Sequence, residues 1–177
     1  MYSQNNHLNL KLKVWMLSLL LLITLIILVG GLTRLTDSGL SITTWELFIG
    51  IFPPLSDEKW IDYFKLYKTI PEYNEQNFNM TLGEFKVIFW WEWAHRQLGR
   101  LIGLLVLLPM IYFTIKNGLW ILKEYLIIFL LVCFQGFIGW YMVSSGLVDR
   151  IDVSHYRLSL HLVTAFIILS IVFWKFL

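Results

Sequence analysis

Four long apolar runs divide the chain: residues 14–32, 98–115, 125–143 and 158–174, the last broken by His161 and a few small polar residues. A helix needs about 20 apolar residues to cross the hydrocarbon of a bilayer. Each run therefore predicts a transmembrane helix. The first exceeds the usual core of a signal peptide, and no small-x-small cleavage pattern precedes the next polar stretch, so it reads as an uncleaved anchor. Between the first two runs lies a mixed polar and aromatic segment, about residues 33–91. Within it, Ser56-Asp57-Glu58-Lys59 is an acid-rich helix start, followed by Trp60, Phe64 and Tyr67 at helical spacing, with Pro71 as the expected stop. Such a helix either lies on the membrane or caps the bundle, or else packs on nothing in particular. Thr81-Leu82-Gly83-Glu84 is a capping box. The second membrane helix should then start near Leu82 and reach about Ile115, roughly 50 Å, so that it projects beyond the membrane. Trp90, Trp91 and Trp93 mark its interface, and Pro109 is a candidate kink. The expected fold is an all-α membrane protein: a four-transmembrane-helix bundle with a long helical external loop. Residues 1–13 form a cytoplasmic tail, with His7 in it, and 14–177 form the bundle.

Composition agrees and adds direction. The chain is 58% hydrophobic and 15% charged, with net charge +2 and no basic run, which argues against nucleic acid as a partner and for the lipid bilayer. Lys11, Lys13, Lys116, Lys123 and Lys175 all fall on one side of the predicted bundle, opposed there by Glu124 alone. By the positive-inside rule that side is cytoplasmic and holds both termini. The short amino-terminal tail has no arginine, unlike a mitochondrial transit peptide, so a bacterial cytoplasmic membrane is expected. Cys133 has no second cysteine to pair with and reads as a small apolar-helix residue.

The candidate chemistry sits where it costs most. Glu92-Trp93-Ala94-His95-Arg96 opens an apolar helix, and His161 lies a short way into another. Ionisable groups in membrane helices are rare and usually serve a ligand, an ion or a proton path. Two imidazoles on separate helices suit a buried metal centre such as heme iron. Glu92 and His95 are spaced to share a helical face, and Gly99 and Gly103 continue it below His95. That stripe offers a ligating nitrogen above a floor without side chains, fit for a planar macrocycle. It is equally a helix-packing stripe whose histidine bonds a carbonyl. Gln135-Gly136 and Gly139-Trp140 on the third helix also permit close approach of a helix or a flat ligand. Arg34, Arg96, Arg100 and Arg157 stand at one membrane face, where they suit heme propionates or snorkel to headgroups. His155 is expected to face solvent or the propionates. Counted from the inner lysines, His95 and His161 differ in depth by roughly 10 Å, to be absorbed by tilt, by Pro109 or by the inner end of the fourth helix.

These residues fall in strings that resemble the heme A synthases. The strings are Gly30-Gly31-Leu32-Thr33-Arg34-Leu35-Thr36-Asp37-Ser38-Gly39-Leu40-Ser41, Met80-Thr81-Leu82-x-Glu84-Phe85-Lys86, Glu92-x-x-His95-Arg96-x-x-Gly99-Arg100, Gln135-Gly136-x-x-Gly139-Trp140-Tyr141-Met142-Val143 and Tyr156-Arg157-Leu158-x-Leu160-His161-Leu162. They run in order over most of the chain, and the long loop is similar to the alphaproteobacterial and mitochondrial branch. The resemblance implies an oxidoreductase acting on a CH group, converting the C8 methyl of heme O to the formyl of heme A for cytochrome oxidase. It implies iron held by His95 and His161, Glu92 as catalytic acid or base, and heme O synthase and a quinone or other acceptor as partners. Family members usually have eight membrane helices in two related halves, the second holding a heme b. Four helices are expected here, so the chain is the amino-terminal, substrate half: a fragment, one half of a split enzyme, or a four-helix form that pairs with a second copy. The external cysteine pair of some members is absent. The competing expectations are an electron-transfer cytochrome of the heme b type without porphyrin chemistry, and a membrane scaffold without heme.

Overall fold

Hydrogen-bond economy decides what can cross a bilayer, and this chain spends its apolar runs on helices. In the computed structural model, which describes residues 2–46 and 48–177, no strand occurs among the described residues. Helices α1 (Tyr2–Leu35), α4 (Leu82–Asn117), α5 (Trp120–Asp149) and α6 (His155–Phe176) are each long and apolar enough to span a membrane, and the protein is a multi-pass membrane protein. Two short helices, α2 (Asp57–Tyr67) and α3 (Pro71–Glu75), lie in the segment between α1 and α4, with one 3-10 turn at Ile49–Ile51.

The local signals act as their chemistry requires, with one exception. The Thr81 hydroxyl accepts from the Glu84 amide at 3.3 Å and the Glu84 carboxylate accepts from the Thr81 amide at 2.8 Å, so the capping box is closed. Ser56 caps α2 by accepting from the Lys59 amide. Pro71, however, does not stop α2, which ends at Tyr67; it opens α3 from N1, where its missing N–H costs nothing. Helix α1 also runs back through the stretch expected to be a tail, as far as Tyr2, and carries His7 exposed on it. Helices α4 and α5 are joined at Gly118, whose φ of +100° is a conformation that a Cβ would strain.

Around the bundle, α1 packs on α4 and α6, and α5 packs on α4 and α6. Helices α4 and α6 therefore face each other across a diagonal. At the end that holds the chain termini, Lys13 donates to the Leu177 carbonyl and Lys175 pairs with Glu124. A core of Trp15, Met16, Leu19, Val106, Ile121 and Val172 with their neighbours fills this half. Trp15 has a second task. Pro109 cannot donate to the Leu105 carbonyl four residues back, and the Trp15 indole N–H donates to it at 2.7 Å instead.

The cap, built from the α1–α4 segment, has its own core of Leu40, Trp60, Tyr67, Phe85, Phe89 and Val153 with their neighbours. Helix α2 packs on α4 through it. Between the two cores the bundle changes character. No residue of 24–32 on α1, 93–101 on α4, 129–137 on α5 or 155–163 on α6 is fully buried. Protein interiors are ordinarily close-packed. Over about 13 Å of height the packing between the four helices is looser than in the two cores.

Candidate functional site

Both histidines lie in that layer, on the diagonal pair of helices. The His95 ring of α4 is seated against Gly30 of α1: a Cβ there would lie 2.8 Å from His95 Cε1. The His161 ring of α6 is seated against Gly139 of α5, where a Cβ would lie 3.2 Å from its Cε1. In each ring Nδ1 is buried without a hydrogen-bond partner. Buried ring nitrogens are ordinarily satisfied, and an orphan asks for a ligand.

The expected depth difference shrinks. Trp15 contacts Phe113 and Tyr125, and the Lys175 ammonium lies over Tyr125, so these residues define one level. From that level it is about 22 Å along α1 to Gly30, about 21 Å along α5 to Gly139, about 21 Å along α6 to His161 and about 27 Å along α4 to His95. Lys116 lies one turn beyond the shared level, so counting from it overstates the depth of α4.

Glu92 faces elsewhere. It is 3% exposed, and its carboxylate accepts from Ser41 Oγ and the Ile42 amide at 2.7 Å each and from Arg96 Nε and Nη2 at 3.0 and 2.6 Å. Arg96 also donates to the carbonyls of Ile42 and Thr44 and lies over Trp45. The pair ties the segment after α1 to the mouth of α4. Three-residue spacing leaves roughly 60° between two side chains on a helix. That is enough to turn Glu92 to the loop and His95 to α1.

The glycines and arginines also sort differently from their spacing. Gly99 admits Ile26 of α1, which a Cβ would meet at 3.8 Å, and Gly103 has nothing within 4 Å. The glycines that lie against the imidazoles are across the helix interfaces, Gly30 and Gly139. Arg34 pairs with Asp37 at 3.0 Å and Asp152 at 3.6 Å. Arg100 donates to the Glu46 carbonyl at 2.8 Å. Arg157, one turn before His161, lies 4.6 Å over the Tyr141 ring and has no carboxylate partner among the described residues. His155 is exposed and 3.8 Å from Asp152. Gln135, singled out only with its glycine neighbour, donates to the His161 carbonyl at 2.8 Å and keeps a buried, unpartnered oxygen. Ser41 is a further contact that no spacing rule would find, because it meets Glu92 across the fold.

No group of three or more His, Cys, Asp or Glu that could hold a metal ion occurs among the described residues. What is present is a pair of imidazoles on diagonal helices, each backed by a glycine and each with a buried Nδ1 that has no hydrogen-bond partner. Two such imidazoles are donors of the chemical kind that a heme iron takes. A multi-pass helical membrane protein with such a layer is the class that fold and site define. A model of the cytochrome oxidase assembly protein family (COX15-CtaA) matches residues 13–177, and the chain belongs to that family. Relatives include the heme A synthases of Pelagibacter ubique (58% identical over 168 residues, 94% of this chain and 50% of the relative) and Bradyrhizobium diazoefficiens (50% over 162 residues, 90% and 45%). The heme A synthase of Rickettsia bellii is 50% identical over 166 residues, 91% of this chain and 48% of its own. The chain spans about half the length of these curated relatives. No solved structure matches it.

Proposed function

We propose that this chain forms the substrate half of a heme A synthase, in which heme O is oxidised at its C8 methyl to the formyl of heme A. The observation that carries the reading is the pair of imidazoles on diagonal helices, each with a buried Nδ1 that has no hydrogen-bond partner. His95 and His161 would hold the iron, and the bound heme supplies the redox chemistry. Gly30 and Gly139 fix the ring planes. Arg157 is the arginine best placed to meet a propionate, because the other three already serve carboxylates or loop carbonyls. The layer lies between an apolar core below and the cap above.

In this reading Glu92 handles the proton. Its four hydrogen bonds leave no oxygen idle, so it accepts a proton only when one donor turns away. Ser41 is that donor: its hydroxyl already reaches the Ile88 carbonyl at 3.3 Å and can swing to it. Arg96 holds the carboxylate meanwhile. The lysine-rich end faces the cytoplasm of a bacterial cell and the cap faces outward, by the positive-inside rule. A quinone or another acceptor takes the electrons, heme O synthase supplies the substrate, and the remaining half of the family architecture or a second copy completes the electron route.

The test is pigment. The chain, expressed with a heme O supply, should carry low-spin heme that His95→Ala and His161→Ala each lose. Glu92→Gln should retain heme O and form no heme A. Extraction of heme b alone from the unaltered protein would overturn the reading in favour of an electron-transfer cytochrome, a role for which Glu92 need only clamp the loop. A colourless, well-folded preparation would leave a scaffold without heme.

A further inference from the structure

The segment after α1 does more than cover the bundle mouth. It descends beside α4: the Ile42 amide meets Glu92, the Ile42 and Thr44 carbonyls meet Arg96, and the Glu46 carbonyl meets Arg100. It then turns, and the Gly50 carbonyl accepts from Gln97 at 2.9 Å. Pro53 and Pro54 lead it back to α2. The contacts on α4 fix its depth. Counted back from Lys116, about 30 Å of hydrocarbon reaches to about Arg96. Arginine side chains lean toward the helix N-terminus, here the cap side, so the Arg100 guanidinium and the turn it holds lie at the hydrocarbon boundary.

Several of the turn's polar groups are satisfied inward, and its large apolar side chains are exposed. Besides the carbonyls held by α4, the Ile51 and Phe52 amides donate to Phe48 and Ile49. The Glu46 carboxylate is turned in, accepting from Tyr63 and Thr44 hydroxyls. Left outward are Phe48, Ile49, Phe52 and Leu55, each between 72% and 80% exposed. A contiguous apolar patch of this kind is costly in water. Non-helical backbone at membrane depth needs partners within the protein, and the Glu46, Phe48, Ile49 and Gly50 carbonyls and the Ile51 and Phe52 amides have them. Beside the turn a cavity of about 460 Å³, walled by Phe48, Phe52, Pro53, Lys59 and Tyr63, opens against α2.

We propose that Phe48, Ile49, Phe52 and Leu55 form a membrane anchor dipping into the leaflet on the cap side, with the adjoining cavity taking a lipid acyl chain. The occupant is hydrocarbon because the four patch side chains are uncharged and lie at the depth of the lipid boundary, four carbonyls of the turn are already held by protein, and Lys59 at the cavity wall has a stem long enough to carry its ammonium toward the headgroups. The anchor fixes the height of the loop that meets Glu92 and Arg96, so it couples the bilayer to the mouth of the layer between the cores.

Collision probes read this directly. Phe48→Cys, Phe52→Cys and Phe78→Cys, each in a Cys133→Ala background, are spin-labelled in vesicles of phosphatidylethanolamine and phosphatidylglycerol. Phe78 is 62% exposed in the cap, away from the turn, and serves as the aqueous reference. Labels at 48 and 52 should collide more with dissolved oxygen than with a water-soluble nickel chelate, the reverse of the label at 78. A nickel preference at 48 and 52 would place the turn in water and overturn the proposal. Protection of both positions from both probes would also overturn it, since the patch would then lie under protein. Two labelled positions keep the test decisive if one variant misfolds.

Discussion

A methyl group added at Gly30 and at its neighbour Gly31 would meet different surroundings. At Gly30 a Cβ would stand 2.8 Å from the His95 ring, whereas at Gly31 it would meet nothing within 4 Å. Overpacking a filled site typically costs about 1–3 kcal/mol. Gly30→Ala should therefore turn the His95 ring off its seat and lower heme retention roughly tenfold or more, read as Soret absorbance per protein, while Gly31→Ala leaves it unchanged. Equal pigment in both variants would remove Gly30 from the site. Glu92 calls for a different variant. Removing it leaves the Arg96 charge buried without its partner, which typically costs about 3–5 kcal/mol. Glu92→Ala should thus lower the thermal midpoint in detergent clearly more than Glu92→Gln, which keeps an acceptor oxygen for Ser41 and Ile42. At this scale the sequence was legible for residue type and not for direction. Glu92, His95 and His161 could be picked out because charge and imidazole are expensive in apolar helices. That Glu92 turns to Ser41, or that His95 rests on Gly30, depends on contacts between segments far apart in the chain.

Helices α1 and α4 show the same division. The extent of α4 could be read from its capping box and from the absence of proline before Pro109, and it forms with its box closed. The role of Pro109 could not, because the answer lies on another helix. A proline at this position orphans the Leu105 carbonyl, and an unsatisfied group in hydrocarbon costs several kcal/mol. Trp15 supplies the missing donor at 2.7 Å. Trp15→Phe keeps most of the ring packing against Phe113 and Tyr125 and loses only the N–H. It should destabilise the bundle by about 1–3 kcal/mol. Pro109→Ala restores an amide donor within α4, so Trp15→Phe should cost markedly less in that background. Unfolding titrations of the four proteins in the cycle measure the coupling; strict additivity would show that Trp15 serves packing alone. Pro71 could be misread for a related reason. A proline after an amphipathic run is compatible with a helix stop and with a helix start, and the buried Glu72 that follows it, not visible in any local pattern, goes with the second.

As a whole the molecule is two apolar cores with a more loosely packed layer between them, so the cap must hold its own shape to cover that layer. One buried group makes its stability depend on pH. Glu72 is 3% exposed, with the Tyr67 hydroxyl donating to it at 3.0 Å and Asn77 donating in turn to Tyr67. Burial pushes its carboxyl up from about 4.5 to about 7; the Tyr67 bond opposes this, the charges of Glu92 and Asp37 add to it, and Arg34 offsets part. The folded-state value lies above the unfolded one, so the folded cap binds more proton between those limits. Its stability is then greatest below about pH 4.5 and falls as pH rises to about 7, by about 3 kcal/mol if Glu72 acts alone. Glu72→Gln keeps an acceptor for Tyr67 and removes the charge. Hydrogen exchange of the 57–80 segment, followed from pH 5 to pH 8 after correction for intrinsic rates, should show protection falling in the unaltered protein and not in the variant. Parallel profiles would mean that Glu72 is ionised throughout and that the cap draws its stability from Trp60, Tyr67, Phe85 and Phe89 regardless of pH.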